Sequence, residues 1–245
     1  MNFKDKVAVV TGAAVGIGKA TAIKLASEGA AVAILDINEE KLLCTKSEIE
    51  KYTDRVIAVK CDVSNENEVN DAFAKIKAQL GAVDILVNNA ALWRHWADFM
   101  STTVEDWKKY LDVNVMSVVY CTRAVLPDMV ESRYGRIINV ASVAGVYGNA
   151  NMVQYSATKG AVISMTKALA KEVADKGVTV NSVSPGSVSD SGNDDLMLTV
   201  PSELAFMNRT GSPMENAELI CFLASDAAGY ISGQNIQIDG CRRKQ

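Results

Sequence analysis

Short runs of aliphatic residues recur at 7–10, 31–35, 56–59, 85–87, 137–140, 178–183 and 236–238. They are apolar throughout and do not alternate, which marks strands buried on both faces, as in a parallel sheet. Between them lie helix-length stretches running to Glu28, through about Lys51, and over 66–80, 103–131, 152–176 and 215–225. Repeated strand–helix alternation admits few architectures, and a doubly wound α/β sheet with right-handed crossovers is the simplest. At 245 residues and 49% hydrophobic content, with no linker, repeat or low-complexity tract, the chain reads as one domain over 1–245 with a sizeable core. The rhythm fails over 187–208, where Gly192, two adjacent aspartates and Pro201 suggest a lid or binding loop.

Charge and cysteine usage narrow the class of protein. The net charge is −4, and the one basic run is the tail Arg242, Arg243, Lys244, which reads as a solvated end. That argues against nucleic acid as a partner, since phosphate binding needs a basic face. The five cysteines at 44, 61, 121, 221 and 241 contain no Cys-x-x-Cys pair, so neither a disulfide framework nor a zinc site is expected. Cys61 and Cys121 have apolar neighbours and read as core fillers. The N-terminus enters a strand directly, leaving no room for a signal peptide, and no apolar run reaches membrane length. A cytoplasmic protein without membrane partners is expected.

Two features point to a nucleotide. Thr11-Gly-Ala-Ala-Val-Gly-Ile-Gly18 lies between the first strand and the first helix. Glycines there let the backbone turn tightly and approach a pyrophosphate, while the helix start offers free N–H groups. The position, opening the first βαβ unit, is where dinucleotide sites occur. The second strand ends at Asp36, which can accept hydrogen bonds from the adenosine ribose hydroxyls, or can simply be a turn residue. Its carboxylate would repel a 2′-phosphate, and neither Val15 nor Ile37 is a cation that could compensate. NAD is therefore favoured over NADP.

The stretch 139–160 carries acid–base chemistry. Tyr155 and Lys159 stand four apart, so on a helix they share a face, one turn from each other. A phenol is a poor base near neutrality, and a nearby ammonium favours the phenolate and lowers its pKa. With Ser142 the pair could move a proton to or from an alcohol. Tyr-x-x-x-Lys is also a common accident on exposed helices.

In combination these residues are similar to one known family. The stretch 11–18, Cys61-Asp62-Val63, Asn88-Asn89-Ala90, Asn114, Ser142, Tyr155-x-x-x-Lys159 and Pro185-Gly186 resemble the short-chain dehydrogenases/reductases, in order and spacing, over essentially the full chain. The resemblance implies a Rossmann domain with a mostly parallel seven-stranded sheet, working with a nicotinamide dinucleotide. It implies cofactor contacts from Gly12, Gly16, Ile17, Gly18, Asp36, Ile37, Tyr155, Lys159, Pro185, Gly186 and Val188. Asp62 and Val63 would hold the adenine, and Asn88 and Ala90 would line the cofactor. Asn114, Ser142, Tyr155 and Lys159 would form a catalytic tetrad, in which Ser142 orients the substrate oxygen and Tyr155 is the general acid/base. Lys159 would lower the phenol's pKa and bind the nicotinamide ribose, while Asn114 would hold a water leading to solvent. A homotetramer or homodimer, built through the long helices, is likewise implied. Three positions depart from the family pattern: Ala91 and Cys241 replace glycines, and Asp190 replaces a threonine.

Substrate contacts in such a fold come from loops beyond the strand C-termini, here 92–100, 143–153 and 187–208. The first holds Trp93, His95 and Trp96 in a chain that is 6% aromatic. Trp93 reads as a pocket wall, with Tyr147, Met152 and Phe206 beside it, although such aromatics can equally pin a loop or an interface. His95 reads as a loop residue and Trp107 as core or interface. An apolar pocket suggests an NAD-linked oxidoreductase for a secondary alcohol or ketone with a hydrophobic body. The alternative is a reductase of 3-oxoacyl thioesters on acyl-carrier protein or coenzyme A. Arg133 and Lys176 stand where such reductases carry arginines, and basic residues there can also be surface decoration. A catalytically silent NAD-binding protein is the remaining reading. No metal centre is expected.

Overall fold

In a computed structural model, which describes residues 1–93, 96–189 and 195–243, the strands are β1 (Val7–Thr11), β2 (Ala31–Asp36), β3 (Val56–Lys60), β4 (Ile85–Asn88), β5 (Gly135–Val140), β6 (Val178–Pro185) and β7 (Asn235–Ile238). The helices are α1 (Gly16–Ser27), α2 (Glu39–Ile49), α3 (Glu66–Leu80), α4 (Val104–Leu111), α5 (Ser117–Glu131), α6 (Ala144–Tyr147), α7 (Val153–Val173) and α8 (Pro213–Ala224). The sheet order is β3-β2-β1-β4-β5-β6-β7, and each neighbouring pair is parallel. A sheet expected to be mostly parallel is thus wholly parallel among the described residues. The chain reverses its direction of winding between β1 and β4, leaving a crevice at their C-terminal ends where ligands bind in such sheets.

Strand side chains point alternately to opposite faces, so β1 feeds two cores. Ala8 and Val10 join Leu25, Ile34, Leu42 and Ile220 under α1, α2 and α8. Val7 and Val9 join Phe73, Ile76, Val125, Met129 and Val173 under α3, α5 and α7. Burial on both faces explains the apolar runs, and the edge strands β3 and β7 are the less buried ones.

Helix termini are set locally. Thr103 and Asp106 close a capping box on α4, and Ser212 and Glu215 do so on α8 with Pro213 in its first turn. Asn38 and Asn65 cap α2 and α3. By contrast α1 starts after Val15 and α7 after Met152, neither with a side-chain cap. The stretch expected as one helix over 103–131 is divided by a π turn, Asp112–Met116, containing Asn114. Such turns widen a helix by one residue and re-aim the side chain they carry. No described helix is long and apolar enough to cross a membrane.

Candidate active site

The strand ends open into a cleft of about 1240 Å³. One wall is the glycine turn. Gly12 and Gly16 have φ of +62° and +59°, which L side chains rarely adopt. A Cβ at Gly18 would lie 2.2 Å from the Gly12 carbonyl oxygen, so only glycine lets α1 start so close to the turn. Asn89 holds the turn from below, its Nδ2 donating to the Thr11 and Gly12 carbonyls at 2.9 Å each. Thr11 Oγ1 accepts from the N–H groups of Asn89 at 3.0 Å and Ala90 at 3.1 Å. The first-turn N–H groups of α1, with no side-chain cap, face a cleft lined by Gly12, Val15, Gly16 and Ile17. An uncapped helix start beside an open glycine has free N–H groups that can receive an anion, and the residues present are compatible with a dinucleotide's pyrophosphate.

Asp36 lines the same cleft. Its Oδ2 accepts from Ala14 N at 3.0 Å and its Oδ1 from Asn38 N at 2.9 Å, which fixes the carboxylate and leaves lone pairs for ribose hydroxyls.

The opposite wall is built by β5, α6 and α7. A Cβ at Gly145 would stand 2.5 Å from the Lys159 carbonyl carbon, so α6 lies directly on the α7 backbone. That contact presents Ser142, Tyr155 and Lys159 to one cavity. Ser142 Oγ accepts from Ala144 N at 3.1 Å, and its own hydrogen is directed to Tyr155. Burial pushes the Tyr155 phenol up to about 12, against a hydrogen bond from Ser142 that pulls it down. Burial pushes Lys159 down to about 8. Lys159, expected to lower the phenol's pKa, is not among the groups that pull it down. The ammonium is turned to the Val140 carbonyl, 2.7 Å away, and stands 5.8 Å from the Tyr155 ring centre, so burial dominates.

Other expected site residues are distributed unevenly. Ala90, Trp93, Tyr147, Met152, Pro185, Gly186 and Val188 line the cleft. Asn114 is buried off it, with Oδ1 accepting from Leu92 N at 2.7 Å and Nδ2 donating to Leu92 O and Thr158 Oγ1. Asn88 is buried beneath the cleft, its Nδ2 donating to Asn139 Oδ1 at 2.9 Å. Asp62 accepts from Ser64, Val63 packs into the core, and Ile37 is exposed; none of the three lines the cleft. Phe206, expected in the pocket wall, points outward, and the Arg243 guanidinium lies 4.9 Å from its ring centre. His95 and Asp190 lie outside the described residues.

Sequence reasoning missed Trp96 as a lining residue, together with Asn149, Leu204 and Arg242. Arg242, expected as solvated tail, turns inward to donate to Asn149 Oδ1 at 3.1 Å. Nothing in the sequence signalled that the tail returns to the lid.

A doubly wound parallel sheet with a dinucleotide cradle facing a buried Ser/Tyr/Lys cluster defines a nicotinamide-dependent oxidoreductase acting on a CH–OH or keto group. The chain belongs to the short-chain dehydrogenase/reductase family, whose model, described as short chain dehydrogenase, matches residues 6–197. It is 39% identical to the 3-oxoacyl-(acyl-carrier-protein) reductase FabG of Thermotoga maritima, over 98% of each chain. It is 37% identical to the (2S)-((R)-hydroxy(phenyl)methyl)succinyl-CoA dehydrogenase subunit BbsD of Thauera aromatica, over 99% of this chain and 98% of that one. The NAD(+)-dependent 2-dehydro-3-deoxy-L-rhamnonate dehydrogenase of a Sphingomonas strain is 36% identical, over 98% of this chain and 96% of the other.

Proposed function

We propose that the protein interconverts a 3-oxoacyl thioester and its 3-hydroxyacyl form, with NAD(H) as the redox partner and Tyr155 as general acid/base. The observation that carries the reaction is the convergence of Ser142, Tyr155 and Lys159 on the cavity that also holds Asp36 and the glycine turn. The names of the relatives support the thioester, since reductases of 3-oxoacyl thioesters and a CoA-thioester dehydrogenase are among them. Asp36 supports NAD(H), because its carboxylate disfavours a 2′-phosphate.

The bound nicotinamide supplies or accepts the hydride. The chain's own residues handle the oxygen and its proton. Ser142 turns its hydroxyl hydrogen from Tyr155 to the carbonyl oxygen and orients it. Tyr155, protonated at neutral pH with its phenol up at about 12, delivers the proton to the same oxygen. Lys159, still charged below about 8, stabilises the phenolate left behind. The Asn114 side chain is held by Leu92 and Thr158, which fixes it against the N-terminal half of α7.

An apolar rim of Trp93, Trp96 and Met152 favours, as a second reading, a plain secondary alcohol or ketone with a hydrophobic body. Assays of NADH and NADPH consumption with 3-oxobutanoyl-CoA and with simple hydrophobic ketones separate the two. Tyr155→Phe should keep NADH binding and lose roughly 10²–10⁴-fold in turnover. Turnover of ketones but not of the thioester would replace the first reading by the second. Unaltered turnover in Tyr155→Phe would remove Tyr155 from its role. Apolar residues exposed on α4, Val104 and Leu111, support assembly into a homotetramer through that face.

A further inference from the structure

The C-terminal tail is built into the site. Beyond β7 the chain turns at Gly240 and Cys241, with φ of +62° and +60°, and runs back along the lid. Phe206 N donates to Cys241 O, Met207 N to Gly240 O, and Arg243 N to Leu204 O, while Ala205 and Arg242 form an antiparallel bridge. A Cβ at Gly240 would lie 3.2 Å from the Ala205 Cβ, so the tail and lid lie close together at the turn. Alternation along this strap turns Arg243 outward over Phe206 and Arg242 inward to the cleft.

Arg242 is half-buried there and lines the cleft with Leu204, Asn149 and Tyr147. Its hydrogen-bond partner is the neutral Asn149 amide oxygen, and among the described lining residues the one carboxylate is Asp36, on the cofactor wall. Asn149 N in turn accepts the geometry of α7 by donating to Ser156 Oγ at 3.1 Å, beside Tyr155. A guanidinium presents five donors in a planar fork, and one neutral acceptor leaves most of them unused. A cation held by a strap of main-chain bonds, facing the substrate end of a catalytic cleft, is suited to an oxyanion.

We propose that Arg242 is a specificity-determining residue that binds an anionic group of the substrate, a carboxylate on the acyl portion or a phosphate of its thioester carrier. The proposal rests on the thioester reading above for the identity of the probes. It assigns the tail of this chain to substrate recognition.

The test is a titration of the intact protein, saturated with NADH, by unreactive thioesters. Butanoyl-N-acetylcysteamine carries no anion, succinyl-N-acetylcysteamine adds a carboxylate, and butanoyl-CoA adds phosphates. Arg242→Gln should weaken one of the two anionic ligands by roughly 10-fold or more while leaving the neutral one within about twofold, as for a lost charge-assisted hydrogen bond. Arg242→Lys should restore part of the loss. The ligand affected identifies the anion. Arg243→Gln, outside the cleft, should bind all three like the wild type. Equal weakening of neutral and anionic ligands, no weakening of any, or the same loss in Arg243→Gln would overturn the proposal. Absence of wild-type turnover with 3-oxobutanoyl-CoA would instead sink the thioester reading, and the titration would still judge Arg242.

Discussion

Lys159 should cost the fold stability in a way that pH can remove. The residue is 3% exposed, and burial lowers its pKa from 10.5 to about 8. Between these values the unfolded chain holds a proton that the folded chain does not, so this group makes stability rise with pH across the window. Below about pH 8 the fold bears the whole penalty, and above about 10.5 it bears none. At about 1.4 kcal/mol for each pH unit, the penalty is ~3 kcal/mol. Lys159→Met keeps the length and removes the charge, at the loss of a 2.7 Å hydrogen bond to the Val140 carbonyl. That loss is an offset which the window leaves largely unchanged. Urea unfolding of both proteins at pH 7, 8, 9 and 10, without cofactor, should therefore show the difference moving by ~2–3 kcal/mol in favour of the wild type as pH rises. The raised thiols of Cys61, Cys121 and Cys221 and the raised phenols of Tyr134 and Tyr155 work the other way above pH 9, but both proteins carry them. Parallel stability curves for the two proteins would refute the argument.

Gly18→Ala should destabilise by roughly 1–3 kcal/mol and weaken NADH binding, because its Cβ meets the Gly12 carbonyl at 2.2 Å. Gly16→Ala, whose Cβ meets nothing within 4 Å, should lose only about 1–2 kcal/mol for its left-handed φ; thermal melts and NADH fluorescence compare them, and equal stabilities would contradict the packing argument. Asp36→Asn should shift the ratio of NADPH to NADH affinity upward by roughly tenfold, and an unchanged ratio would remove Asp36 from cofactor choice. Native protein should show two reactive thiols to Ellman's reagent, the exposed Cys44 and Cys241, with Cys61, Cys121 and Cys221 reacting only on unfolding; five fast thiols would contradict the core described here.

The frame was legible because parallel strands buried on both faces leave uninterrupted apolar runs, as in Val7–Thr11 and Val178–Pro185. The glycine turn and the Tyr155/Lys159 spacing were legible because both are local, fixed by chain positions a few residues apart. What the sequence concealed depends on contacts between distant segments. Nothing in the periodicity of 103–131 marks the π turn that carries Asn114. Phe206 and Arg242 exchanged their expected places, one turning outward and the other inward. The cause is a bridge between Ala205 and Arg242, which buries Ala205 and by alternation exposes Phe206. Hydrophobicity favoured Phe206 for the pocket and charge favoured solvent for Arg242, and strand pairing overrode both.

The perturbed pair at the centre of the cleft also has a defined protonation state. Burial drives both groups toward their neutral forms, yet a phenol at about 12 and an amine at about 8 are both protonated at pH 7. A protonated phenol beside Ser142 is a proton donor, which is what a carbonyl oxygen requires as it is reduced. Oxidation of an alcohol needs the phenolate, which burial of Tyr155 disfavours while the Lys159 ammonium is turned to Val140. The phenolate becomes accessible only if positive charge reaches the cleft or the ammonium turns toward the ring. Reduction leaves the same phenolate behind that oxidation requires, so positive charge beside Tyr155 serves both directions of the reaction equally.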